Sequence, residues 1–409
     1  MLRIKIALSW ALCLMLAVAG SRSTLGQPPT LANTDQPAAG HRVLQLEELW
    51  RIGGLDAAEN LLGVVDKVLA DDQGNLYLLD IQLTEVQVFD SGGTYLRSLG
   101  GPGDGPGEIR RATDLVFLPD GTVGLVQGFP GRIVKVDQEG LPAGEFRLGG
   151  DDPSAGGFYG LQRARSLGGG LVLSGVRVSR GETQRTATHF ISRFGLDEVE
   201  QVVYLEKTTV REMGRGGFVE KDEFFPHRGG WTLGPDGQVY VAPRRNSYLV
   251  DVYGPQGDLQ RSFSRQYESL RRTDEELARA RESMIPFRRR NRRAPEVVVE
   301  PTERDILEMR AAGGGKLWVL PSRGIKEQPE GIHSTWDVFD PQGVFTETVS
   351  VACEGQGGRD ALFFVGNGLV VLVKEHAEAM QAFRGQGDQE ENADLDARPL
   401  EVVCYRIAP

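Results

Sequence analysis

Cysteine and histidine are scarce in this chain. Its 409 residues include three cysteines, Cys13, Cys353 and Cys404, and five histidines, His41, His189, His227, His333 and His376. No cysteine pair has the short spacing of a zinc motif, and no His-Glu-x-x-His, Gly-x-Ser-x-Gly or phosphate-binding Gly-rich loop ending in Lys-Ser/Thr is present. These absences exclude the enzyme classes that a local motif identifies, and they leave sites assembled from distant residues. Long apolar runs are missing too. The single candidate, residues 6–18, is too short for a membrane-spanning helix. Positive charge is in deficit, with a formal net charge of -11, which disfavours nucleic acid as a partner.

Glycine is plentiful, at 53 residues, and β-branched and aromatic residues recur in short runs between turn signals, so the class predicted is all-β. The chain opens as a secretory signal peptide at 1–19: Arg3 and Lys5, the apolar run, then Ala17-Val18-Ala19. Trp10-Ala11-Leu12 before Cys13 is a poor context for lipid attachment. Residues 20–41, rich in Pro, Ser, Thr, Gln and Ala, read as a disordered tether, and 42–409 as the folded domain. Export to the periplasm or beyond follows, with no membrane insertion once the leader is cleaved. Cys353 and Cys404 read as small strand hydrophobes, with a disulfide left open.

One stretch, 85–109, sets the organisation. Val86 and Val88 alternate with polar residues, Asp90-Ser-Gly-Gly93 reverses the chain, and Tyr95, Leu96 and Leu99 return as a second strand. The connector 100–107 holds five glycines and two prolines and cannot extend that strand. A Gly-containing turn followed by an apolar strand recurs six times, before Leu76, Val123, Leu171, Val239, Leu317 and Leu369. The spacing of 47 and then 48 residues between Leu76, Val123 and Leu171 fits one four-stranded unit. The last unit, ending at 402–407, has no chain left for its return strand, and 43–50 supplies the missing partner. The prediction is a six-bladed β-propeller closed by an N-terminal strand, which leaves no exposed edge at the junction.

Phe89-Asp90-x-x-Gly93, then Gly101-x-Gly-x-Gly-Pro-Gly-Glu108 with Ile109, then Pro119-Asp-Gly121 resemble the NHL-type six-bladed propellers, and most closely secreted bacterial members without settled activity. The resemblance implies the propeller fold and a structural role for Arg132, at a position where such repeats often carry Arg.

The long segments fall between second and third strands or between units, so they crowd one face of the propeller. The largest, 264–303 between blades 4 and 5, carries a capping box at Thr273-Asp-Glu-Glu276, a helix to about Met284 and an arginine run: Arg279, Arg281, Arg288, Arg289, Arg290, Arg292 and Arg293. That arm reads as a lid for an acidic ligand or as a solvated charged arm. The candidate ligand-binding residues are Arg111, Phe129, His227, Arg244, Arg245, Tyr248 and Arg323, on loops of the elaborated face. No metal or cofactor is predicted, although His227 and His333 would suit a metal if they converged with a carboxylate. The Gly100–107 amides suit an anion or a plain connector, and the Asp-Gly turns read as turns rather than calcium sites. The expected activity is that of a monomeric binding scaffold for a peptide, glycan or protein. A hydrolase or lyase, lactonase-like or metal-assisted, with its site at the channel mouth, is the alternative.

Overall fold

The computed structural model describes residues 28, 30–54, 62–149, 157–212, 217–234, 236–284, 296–385 and 400–408. The segment read as a signal peptide lies outside the described residues, as do Arg288, Arg289, Arg290, Arg292 and Arg293 of the arginine run.

The protein is all-β with a propeller-like arrangement of sheets. The first sheet takes its strands in chain order, Val65–Ala70, Leu76–Asp80, Glu85–Phe89 and Tyr95–Leu99, each antiparallel to the next. A second sheet from Ala112–Phe117 to Pro142–Arg147 and a third from Gly157–Leu167 to Glu200–Glu212 repeat this order. The fourth runs Trp231–Leu233, Val239–Val241, Leu249–Tyr253 and Leu259–Arg265. An eight-stranded sheet follows, in which His41–Gly53 joins two antiparallel halves. Its residues 41–45 run parallel to Thr348–Ala352, and 46–53 run antiparallel to Glu401–Ile407. The predicted pairing of the N-terminal strand with the last strand is therefore present, and the same strand has a second partner that its sequence did not announce.

Second strands are the most enclosed. Leu76–Asp80, Val123–Gln127, Val239–Val241 and Leu317–Pro321 are buried at every residue, which is why they read as unbroken apolar runs instead of alternating ones. Most apolar clusters join neighbouring sheets, and one joins the two halves of the eight-stranded sheet. Leu79 and Val86 of the first sheet meet Leu115 and Val134 of the second; Val126 and Phe146 of the second meet Leu173 and Phe190 of the third. Val172 and Ile191 meet Trp231 and Val239; Val250 and Phe263 meet Met309 and Phe339. Trp318 and Trp336 meet Leu362 and Phe364, and Val371 and Val402 meet Val68 and Leu76, which brings the chain back to its first sheet.

The turns follow one chemical recipe. Asp71, Asp90, Asp137 and Asp340 each accept backbone N–H bonds, at 2.7–3.0 Å, from the residues two and four positions on. A glycine with φ between 84° and 89° completes each turn, so these aspartates are consumed by their own backbones. Gly93 has a second constraint: a Cβ there would stand 2.7 Å from the Trp50 ring. The Gly-rich connector also has its own anion, because the Glu108 carboxylate accepts the Gly105 N–H at 2.7 Å. Arg132 pairs with Glu145 at 2.6 Å and holds the Glu108 carbonyl at 3.4 Å, which is the structural role expected of it.

The tether reading fails for its second half. Thr30–Asn33 forms a strand that adds in parallel to the outer edge of the fourth sheet. Backbone bonds carry that addition, so no apolar period was needed to encode it. The Asn33 side chain anchors it, donating to Ser264 O at 3.0 Å and Gly343 O at 2.9 Å and accepting from Phe345 N at 2.9 Å.

One end of the molecule carries only tight turns, between first and second and between third and fourth strands. The other end carries the long connections. There the helix Asp274–Ser283 starts with the predicted capping box, with Thr273 and Glu276 bonded reciprocally. Val297–Val298, further along that segment, pairs in parallel with Phe218–Val219. The two cysteines among the described residues are free thiols, Cys404 buried in a strand and Cys353 half-buried.

Candidate axial binding site

The first strand of each sheet is the innermost. Val65–Ala70 touches Ala112–Phe117, which touches Gly157–Leu167, and Ala361–Gly366 touches Val65–Ala70. Four of these strands share an irregularity ahead of their last five residues or fewer. The register slips between Val65 and Lys67, Ala112 and Asp114, Leu161 and Arg163, and Ile306 and Glu308. A bulge re-aims the side chain that follows it. Lys67, Asp114, Arg163 and Glu308 thus occupy one equivalent rung, opposite Leu79, Val126, Ser174 and Leu320. Two residues further on, and so on the same strand face, stand Arg165 and Arg310.

The rung's electrostatics show that these groups converge. Asp114 has no solvent exposure; it accepts from Arg163 Nη1 at 3.0 Å, Arg165 Nη1 at 2.8 Å and Ala164 N at 2.9 Å. Burial alone would raise its carboxyl, but Arg165, Arg163 and Lys67 hold it well below the usual carboxylate range. Burial, reinforced by the charge of Arg165, pushes the Lys67 amine down to about 7, despite Asp114 and Glu308. Burial raises Glu308 against the pull of Lys67 and Arg163. Burial also lowers Arg310 to about 10, opposed by Glu308. Arg310 stacks on Phe364 at 4.0 Å and Trp318 at 5.3 Å. Yet Glu308 is exposed and Lys67 and Arg310 are only half-buried, so protein surrounds these groups without sealing them from water. The rung sets four cations, Lys67, Arg163, Arg165 and Arg310, against the carboxylates Asp114 and Glu308, a local excess of positive charge in an acidic protein. At its mouth Asp66 lies 3.9 Å from both Arg228 and His376.

The seven residues singled out from the sequence do not gather into one site. Arg111 is exposed, with a left-handed backbone at φ 52°, and Phe129, 57% exposed, stands edge-on to Phe158 at 4.9 Å. Arg244 is exposed. Arg245, read as ligand-facing, is buried and spent on Glu220 at 2.7 Å, Thr302 O at 2.7 Å and Asn246 Oδ1 at 2.8 Å. Tyr248 is likewise a core residue, its hydroxyl bonded to Asp337 at 2.5 Å. Arg323 is held by Glu327 at 2.7 Å and Glu268 O at 2.8 Å. These two arginines and the tyrosine sit in connecting segments, Arg323 in the short helix Arg323–Lys326, but a connection that folds back against its neighbours consumes the donors it carries. His227 pairs with His189, Nε2 to Nδ1 at 2.8 Å, whereas His333 is buried against Asp360 O at 3.2 Å. The two do not share a site, and among the described residues no three His, Cys, Asp or Glu side chains are placed to hold one metal ion.

An open cleft of about 630 Å³ beside the helix Asp274–Ser283 is lined by Arg272, Glu276, Arg279, Glu303, Lys326 and Gly358. Most of its charges are already paired, Lys326 with Glu276 and Glu303 at 2.6 Å and Arg272 with Glu220 at 2.7 Å. The axial rung is therefore the stronger candidate. Sequence reasoning missed it because its charges are dispersed over four strands far apart in the chain. A signal existed, however: Lys67, Asp114 and Glu308 each precede a turn glycine, Gly74, Gly121 and Gly315, by seven residues.

No protein-family model matches the chain, and no curated protein sequence matches it. Solved structures do. An exported protein from Bacteroides fragilis superposes with a TM-score of 0.50 at 10% identity, over 93% of this chain and 100% of that one. Virginiamycin B lyase from Staphylococcus aureus gives 0.43 at 9% identity, over 89% and 100%. A calcium-binding protein, regucalcin, from Agrobacterium tumefaciens gives 0.39 at 11%, over 90% and 97%. At these identities the likeness concerns the fold alone.

Proposed function

We propose that the protein is an exported, NHL-like six-bladed propeller that serves as a binding scaffold for a peptide, glycan or protein partner at its long-loop face. Taking the eight-stranded sheet as two blades bridged by His41–Gly53 gives six four-stranded units, and the succession of apolar clusters from each sheet to the next supports a closed ring. No helix among the described residues is long and apolar enough to cross a membrane. One observation carries the functional reading: the long connections gather at one end of the molecule, around inner strands that carry surplus positive charge along their length at Lys67, Arg163, Arg165 and Arg310. A site so placed is open to a partner and backed by the most rigid part of the fold.

The test is capture from an envelope extract on the immobilised protein. Arg180→Glu and Arg244→Glu, exposed on the long-loop face, are expected to abolish capture, while Glu139→Lys, in a tight turn at the opposite end, leaves it intact. Capture insensitive to the long-loop face would refute the reading.

A further inference from the structure

Lys67 and Arg165 belong to different sheets, and the Arg165 guanidinium is the strongest charge acting on the Lys67 amine, which it repels. The nearest offset, Asp114, has both oxygens engaged by Arg163, Arg165 and the Ala164 N–H. Glu308 feels both cations but forms no hydrogen bond with any described residue, and neither does the Lys67 amine. Holding like charges together where protein has displaced much of the solvent costs free energy, and the fold does not require it. A Leu or Met at position 67 would continue the apolar strand of Val65 and Val68. Charge retained against that cost points to a ligand of opposite sign.

We infer that the axial rung binds the carboxylate of an organic acid, received between the Lys67 amine and the Arg165 guanidinium and reached from the long-loop face. This rests on the scaffold reading above and names the chemistry of what is bound. Three features fit. Arg165 is one-third exposed, so part of its side chain is open to solvent, and its guanidinium carbon lies 5.9 Å from the centre of the Trp231 ring. Glu308 stands close enough to be felt by Lys67, Arg163 and Arg310, which sets a limit on how much negative charge can enter. Asp66, which also acts on Arg163, tightens that limit, so a monoanion is matched better than a phosphate dianion.

The experiment is isothermal titration calorimetry of the full chain with glucuronate and lactate, with glucose as the neutral counterpart of the first and inorganic phosphate as the competing oxyanion. Saturable binding of either carboxylate, with none of glucose and weaker binding of phosphate, is expected. Glucuronate alone would assign the acid to a sugar, lactate alone to a small free acid. Lys67→Met should weaken binding by about tenfold or more, the scale of one charge-assisted hydrogen bond. Glu308→Gln should tighten it, because a repelling carboxylate is removed; a purely structural rung predicts no gain. Thermal melts of both variants show whether they are folded. No saturable carboxylate binding, binding indifferent to Lys67→Met in a folded variant, or tighter binding of phosphate would each overturn the inference. If envelope capture by the long-loop face persists while carboxylate binding fails, the scaffold reading stands and this inference alone falls.

Discussion

Asp114→Asn is the sharpest test of the axial rung. The carboxylate is fully buried and takes two guanidinium bonds, at 3.0 Å from Arg163 and 2.8 Å from Arg165. The arginine side chains are 16% and 33% exposed, so the Arg163 bond counts nearly in full and the Arg165 bond must be discounted for solvent screening. Charge-assisted bonds are worth roughly 1.5–3 kcal/mol each, and removing one member of a buried ion pair costs about 3–5 kcal/mol. Asn keeps an acceptor for the Ala164 N–H but no charge, which places the expected loss at about 3 kcal/mol. Against a total stability of roughly 5–15 kcal/mol that is easily resolved by urea unfolding at pH 7. The wild-type pH profile supplies a second arm. The folded carboxyl lies below its ordinary value of 3.8, so the unfolded chain binds the proton more readily. The contribution is present above pH 3.8 and is lost as pH falls below it, and the variant should lack this acid limb. A variant within about 0.5 kcal/mol of wild type, with its acid limb intact, would show that the rung is not an ion-pair network at all.

Further outcomes follow from other parts of the fold. Tyr248→Phe removes the hydroxyl bond to Asp337 and should cost about 1–2 kcal/mol in urea unfolding. Burial, partly offset by Arg265 and by this bond, sets the Asp337 carboxyl up at about 6, so the folded state holds its proton more tightly than the unfolded state. That stability is present below pH 3.8 and lost as pH rises through 6; the variant should shift the limb to higher pH. Burial, with the charges of His189 and Arg228, depresses His227 from 6.5 to about 3, so stability should fall as pH drops below 6.5. His227→Gln should flatten the slope measured between pH 7.5 and 5. Gly93→Ala places a side chain at φ 85° and against the Trp50 ring, and should cost about 1–3 kcal/mol, with a shift in tryptophan fluorescence.

What could be read from the sequence was local. Asp71, Asp90, Asp137 and Asp340 bond residues two and four positions on, so the turns, and with them the strand borders, were legible one at a time. The return of 46–53 to Glu401–Ile407 was legible because the last unit lacked a strand. Thr30–Asn33 was not, since a strand added through its backbone to a sheet edge leaves no apolar pattern. The rung was hidden for a different reason. A charged residue in a short strand ordinarily marks its solvent side, and only the slip in register before Lys67, Asp114, Arg163 and Glu308 turns that side toward the axis. Arg245 and Tyr248 misled by the converse: their loop composition was right for a ligand, but Glu220, Thr302 and Asp337 lie far away in sequence and satisfy them in space. Loop composition thus marked the end of the molecule that carries the long connections, while the groups left with unmatched charge were supplied by the inner strands.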